Sequence, residues 1–215
     1  SEYAEGSSNN KYFEIYNPTN DTVDLTNYAF ARVNNSPTTN GVYEYWVDFD
    51  SAAIILPNDV YVVAHPSVDS LILIETDMEY GSLSNGDDGF ALVYGINPGS
   101  PMSPSAGGYQ ILDWIGDWNG DPGQGWEVDG VVNATRNHSL IRKCPISVGD
   151  TSWSNSSANQ WVVKPIDYWL DLGTHNWMTS VTDSLSYTIC NGLSVTIGSS
   201  TYSSSGVYSD ILISQ

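Results

Sequence analysis

Hydrophobic positions along this chain recur at every second residue over short stretches, and each stretch stops at turn-forming residues. Lys11-Tyr12-Phe13-Glu14-Ile15-Tyr16 alternates in this way. It ends at Asn17-Pro18-Thr19-Asn20, where proline fixes φ and asparagine tolerates the left-handed region. Val23-Asp24-Leu25 and Tyr28-Ala29-Phe30-Ala31-Arg32-Val33 follow as strands. Asn40-Gly41 is a hairpin signal before the strand at 42–49. Pro57-Asn58-Asp59 turns the chain into a strand over 60–65, and Asn85-Gly86-Asp87-Asp88 turns it into one over 90–94. Later strands are expected at 111–115, 139–143 and 161–163. The opening residues Ser1-Glu2-Tyr3 read as mid-strand, so the chain is expected to be part of a longer protein.

Short strands separated by turn signals every 8–12 residues predict an all-β fold, a sandwich or a barrel. One segment breaks the pattern. Ser67–Asp77 starts at a serine after Pro66 and carries apolar residues at 68, 71, 72 and 74, which predicts a short helix. Residues 95–108 and 116–130 are long, glycine-rich and without periodicity. Long ordered loops are more often functional than short ones.

Composition narrows the class. Twenty-five acidic residues face six Lys and Arg, for a net charge of −19. A nucleic-acid partner is excluded on that ground, because binding DNA or RNA requires a basic stripe that displaces condensed counterions. No apolar run approaches the roughly 20 residues of a membrane-spanning helix, so membrane insertion is not expected. Polarity comes from Ser, Asn, Thr, Gly and Asp, and aromatics are abundant, with 8 Trp and 14 Tyr. That mixture favours strands and turns and reads as extracellular. After residue 178 the composition shifts: residues 180–215 hold no Lys, Arg or Trp and two acidic residues, Asp183 and Asp210. A boundary is therefore placed at 178–182.

Several segments, taken in order, resemble the lamin tail domain in its secreted bacterial form. Glu2-Tyr3-Ala4-Glu5-Gly6 leads into Tyr12-Phe13-Glu14-Ile15-Tyr16-Asn17-Pro18-Thr19 and Val23-Asp24-Leu25. Leu83-Ser84-Asn85-Gly86-Asp87-Asp88-Gly89-Phe90-Ala91-Leu92 follows, then Asp113-Trp114-Ile115-Gly116, Asp121-Pro122-Gly123 with Trp126, and Ser139-Leu140-Ile141-Arg142-Lys143. Trp161-Val162-Val163 and Leu172-Gly173-Thr174-His175 close the series. The resemblance implies an immunoglobulin-like β-sandwich over residues 1–178 and an interaction module with no catalytic residues to carry over. Residues 183–215, with Tyr187-Thr188-Ile189-Cys190-Asn191-Gly192 and Ser205-Gly206-Val207-Tyr208, are similar to a cysteine-containing β-repeat of Bacteroidetes surface proteins. In that repeat a second cysteine follows the last strand, and here the chain stops at Gln215 before it. This second likeness implies a short C-terminal β unit and export by type IX secretion.

The chemistry-bearing residues fit that picture. His65, His138 and His175 sit in no nucleophile motif, and no Gly-x-Ser-x-Gly elbow occurs. The two cysteines, Cys144 and Cys190, make no disulfide scaffold, and whether they pair with each other is left open; Cys144 is read as a buried or inert thiol. Five His and Cys give no zinc spacing. Calcium is the one cofactor suggested, since it takes six to eight oxygen ligands. Asn85, Asp87 and Asp88 form one candidate site, and Asp117, Asn119 and Asp121 the other; the alternative for both is that these side chains close Asx-turns. Seven of the eight tryptophans lie between 114 and 177. Trp114, Trp126 and Trp161 are expected in the core, and Trp118, on the glycine-rich loop, is expected to be exposed and to contact a ligand.

The expected function is a non-catalytic structural or adhesive module of a larger secreted or cell-surface bacterial protein. Its partners would be other domains of the same polypeptide or other surface and secretion proteins. The alternative is an accessory domain that binds polysaccharide or another polymer for an attached hydrolase or nuclease.

Overall fold

The computed structural model describes residues 1–144, 146–175, 187–188, 190, 192–197 and 200–208. The chain divides into two compact units, Ser1–Met178 and Thr179–Gln215. The boundary segment expected at 178–182, and Trp177, lie outside the described residues.

In the first unit the strands are β1 (Glu2–Glu5), β2 (Lys11–Tyr16), β3 (Val23–Asp24), β4 (Tyr28–Val33), β5 (Tyr45–Asp48), β6 (Ile54–Ile55), β7 (Val60–Ala64), β8 (Met78–Glu79), β9 (Gly89–Tyr94), β10 (Gln110–Ile115), β11 (His138–Arg142) and β12 (Trp161–Lys164). Three short helices interrupt them: α1 (Ser70–Ile74), α2 (Pro104–Gly107) and α3 (Trp153–Asn159). Six strands form one sheet in the order β12-β11-β1-β2-β7-β8, and four form a second in the order β10-β9-β4-β5. β3 and β6 make a small separate ladder. All pairings are antiparallel except β7 with β8. The result is an immunoglobulin-like sandwich, with its core between the two sheets.

Period-two alternation decides which core each side chain joins. On β7, Tyr61 and Val63 enter the core between the sheets, whereas Val62 and Ala64 face the other way. That outer face is not left to water. Ile72 of α1, with Trp169 and Leu172 of the C-terminal segment, covers Ala4, Tyr12, Val62 and Ala64. Covering both faces explains why β1 is buried at all four positions. On the inner face, Phe13 of β2 packs edge-on against Phe30 of β4, with ring centroids 5.0 Å apart.

The predicted strands at 11–16 and 28–33 have the expected bounds. The predicted helix is shorter than expected. Its cap is Asp69, whose carboxylate accepts from Leu71 N at 2.9 Å, rather than Ser67. α3 was not expected, because Trp-Ser-Asn-Ser-Ser-Ala-Asn is poor in helix formers; it holds through a cap from Ser152 and the burial of Trp153 and Ser156. A register shift between Ile111 and Asp113 leaves Leu112 without a partner and sets Asp113 opposite Leu92.

In the second unit, β13 (Val195–Ile197) pairs antiparallel with β14 (Ser200–Tyr202). The rings of Tyr202 and Tyr208 lie 4.3 Å apart, and Cys190 is exposed.

Candidate functional site

The pairing of β4 with β9 sets Val33 opposite Gly89. The turn that leaves β4 therefore meets the turn that enters β9. Asn35, in the left-handed region at φ 51°, spans the gap. Its backbone N–H donates to Asp88 Oδ1 at 2.9 Å, and its amide donates to Asp87 Oδ2 at 2.6 Å. With its nitrogen turned toward them, the Asn85 amide donates to Asp87 Oδ1 (2.6 Å) and Asp88 Oδ2 (3.2 Å). Both carboxyl groups are buried. Burial raises the pKa of Asp88, the backbone bond from Asn35 opposes the rise, Asp87 adds to it, and Arg32 lowers it.

The platform beneath is locked. Gly86 O accepts from the Thr135 hydroxyl at 2.6 Å, and the same hydroxyl accepts from Trp126 N at 2.7 Å. Gly86 has φ 106°, and a Cβ there would sit 2.5 Å from Arg136 Cβ, so only glycine fits.

Trp118 belongs to this platform, and here the expectation is corrected. The residue is 0% exposed. Its ring meets Trp114 edge-on at 4.9 Å, its Nε1 donates to Gly89 O at 3.3 Å, and its carbonyl accepts from Gly41 N at 2.6 Å. The glycine-rich loop folds back over the end of the core, and burying an indole there removes a large apolar surface from water. Trp114 and Trp161 are buried and Trp126 packs against the same cluster, as expected.

The two sets of candidate calcium ligands are used differently. Asp117 Oδ1 accepts from Asn119 N at 2.8 Å, and Asp121 Oδ1 accepts from Gly123 N at 2.7 Å, so each closes its own Asx-turn. Asn85, Asp87 and Asp88 do come together, around Asn35. Among the described residues no group of three or more His, Cys, Asp or Glu is placed to hold a metal ion.

Beside the Asp87–Asp88 pair opens a cavity of about 290 Å³, bordered by Arg32, Asn34 and Asn85. Alternation over 28–33 marks Arg32 only as a strand residue. The available signal was its place as the one charged residue in an otherwise apolar strand of an acidic chain. A second, apolar groove of about 350 Å³ opens between the sheets along Phe13, Ile15, Leu92 and Ile115 and ends at His175. His175 Nε2 donates to Ile146 O at 3.2 Å, and its ring lies 4.6 Å from Tyr16. Burial lowers its pKa. The other imidazoles also engage backbone: His65 Nδ1 accepts from Ser67 N, and His138 Nδ1 donates to Arg136 O. Cys144 is exposed rather than buried.

No curated protein and no solved structure matches the chain. Residues 1–97, which run from β1 through β9, match the family model of the Lamin Tail Domain, a non-enzymatic immunoglobulin-like family.

Proposed function

We propose that this chain is a non-catalytic structural or adhesive interaction module of a larger secreted or cell-surface bacterial protein, exported by type IX secretion. The observation that carries the reading is how the polar side chains at the loop end are used. Asp117 and Asp121 bind the backbone of their own loops, and Thr135 and the Asp87–Asp88 pair tie one loop to the next. Such groups hold a rigid end on a sandwich, which is what a docking module needs. The match to a non-enzymatic family supports it. The net charge of −19 favours solubility outside the cell and disfavours anionic polymers and membranes. Its partners are the neighbouring domains of the same polypeptide or other surface and secretion proteins.

The test is proteinase K treatment of intact cells of the natural host, followed by mass spectrometry of released peptides. Peptides from this chain released without lysis support the reading. A chain that stays protected until lysis overturns it. Turnover of any ester, phosphodiester or glycoside substrate by the purified chain, lost on substituting one of its own residues, overturns the non-catalytic part. A second reading, an accessory domain that binds polysaccharide, is favoured by the cavity at Arg32.

A further inference from the structure

Two arginines are buried in the first unit, and they differ in one respect. Arg142 has the carboxylate of Asp113 against it, whereas Arg32, 5% exposed, has no Asp or Glu within 4.0 Å among the described residues. The carboxyls of Asp88 and Glu44 feel its charge without reaching salt-bridge distance. Three contacts fix its plane instead. Nε donates to the Tyr80 hydroxyl at 3.2 Å, Nη1 donates to Asn34 Oδ1, and the guanidinium stacks 4.5 Å from the centroid of the Tyr45 ring. A guanidinium has five N–H donors. Among the described residues Nη2 has no acceptor, and Arg32 lines the cavity.

The cavity wall is polar on nearly every side. Asn34, Asn35, Ser82, Asn85 and Asp88 join Arg32, and Leu83 is the one apolar side chain. Tyr45, 44% exposed, carries the guanidinium against its ring. Donors and acceptors are therefore mixed within one small space. At about 290 Å³ it lies at the lower edge of the roughly 300–1,000 Å³ of small-molecule sites, enough for one compact unit.

Charge decides among ligand classes. An anion would gain Arg32 but would face Asp88, with Asp87 and Glu44 close by, in a chain of net charge −19. A cation would gain the carboxylates but would face the fixed guanidinium. A neutral molecule with several hydroxyl groups meets neither penalty. Its oxygens accept from Arg32 Nη2, and its hydroxyls donate to amide oxygens and to Asp88.

We infer that the cavity at Arg32 is a subsite for one uncharged sugar unit of a polysaccharide. This rests on the second reading above and not on the first. Surface shaving tests the first alone, so the two can fail separately.

The experiment is a ¹H–¹⁵N NMR titration of the full chain, including the arginine Nε–H region. The probes are malto-, cello-, xylo-, manno- and chitohexaose, with oligogalacturonate and calcium chloride as charged controls. The expected result is saturable movement of the Arg32 Nε–H and of the Asn34, Asn35 and Asp88 amides with at least one neutral probe. Affinity should fall at least about tenfold in Arg32→Gln. Ser82 is exposed and lines the cavity outside the Asn35–Asp87–Asp88 cluster, so Ser82→Phe, which fills the space, should weaken binding several-fold if Arg32→Gln does not fold. No movement at these positions with any neutral probe at about 10 mM, ten times a weak site's dissociation constant of ~1 mM, overturns the inference. So does movement there with only a charged control.

Discussion

Arg142 of β11 and Asp113 of β10 form an ion pair that joins the six-stranded sheet to the four-stranded one. The arginine also donates to Gln160 Oε1 at 2.5 Å and stacks 4.1 Å from the Trp161 ring, and Asp113 Oδ1 accepts from Asp150 N at 3.1 Å. Removing one partner strands the other. Asp113→Ala should cost about 3 kcal/mol or more by urea denaturation, because Arg142 stays buried without its carboxylate. The double variant Arg142→Met/Asp113→Leu should lose less than the two single losses added together. Additive losses in the cycle would mean that the pair contributes nothing as a pair.

Trp118 offers a sharp contrast between exposed and buried roles. An exposed side chain kept for a ligand is removed with little effect on stability, typically within about 0.5 kcal/mol. This one fills the end of the core against Trp114 and Tyr43. Trp118→Ala should therefore cost about 3–5 kcal/mol, and Trp118→Phe should cost less. The check is the midpoint of urea unfolding followed by far-UV circular dichroism.

Much of this was legible in the sequence because strand periodicity is local. Residues 11–16 and 28–33 alternate cleanly and are bounded by turn residues, and both strands occur where the pattern places them. What was not legible depends on contacts between distant segments. Trp118 sits in a loop with no periodicity, and its burial comes from Gly41 and Gly89, both remote in sequence, as well as from Trp114 at the end of β10. The cavity at Arg32 arises only when the pairing of β4 with β9 brings Asn35 to Asp87 and Asp88. The acidic half of that cluster stood out as a candidate ligand set, but the arginine beside it did not, since alternation alone does not show which strand residue borders a cavity.

Calcium gives a third test. A cation that binds the folded state alone stabilises it by about 2.7 kcal/mol at a hundredfold excess over its dissociation constant. Asp117 and Asp121 each spend an oxygen on a backbone amide two residues on, and Asp87 and Asp88 are bridged by Asn35 and Asn85. Thermal midpoints with calcium and with chelator should therefore coincide. Asp117→Asn and Asp121→Asn should stay within about 0.5 kcal/mol, because an amide oxygen also closes an Asx-turn. A calcium-dependent rise in the midpoint, lost in either variant, would reassign that loop to a metal.

The last prediction concerns pH, and it comes from the outer face of the six-stranded sheet. Glu2 is buried there and accepts from the Tyr12 hydroxyl at 2.5 Å. Burial pushes its carboxyl pKa from 4.5 to about 8, Tyr12 opposes the shift, and Glu14 and Asp171 add to it. Burial raises Glu14 as well. Between about 4.5 and 8 the folded state therefore holds a proton on Glu2 that the unfolded chain has released. Stability is greatest below that window, falls as pH rises through it, and levels off above it. At about 1.4 kcal/mol per unit, the loss attributable to Glu2 is on the order of 5 kcal/mol. Glu2→Gln keeps an acceptor for Tyr12 and does not ionise. Its urea midpoint should match that of the unsubstituted chain near pH 4.5 and exceed it at pH values above about 8, the difference opening through the window set by the two pKa values. Parallel curves for the two proteins across this range would show that Glu2 is ionised in the folded state, with a counter-charge under the α1 cover.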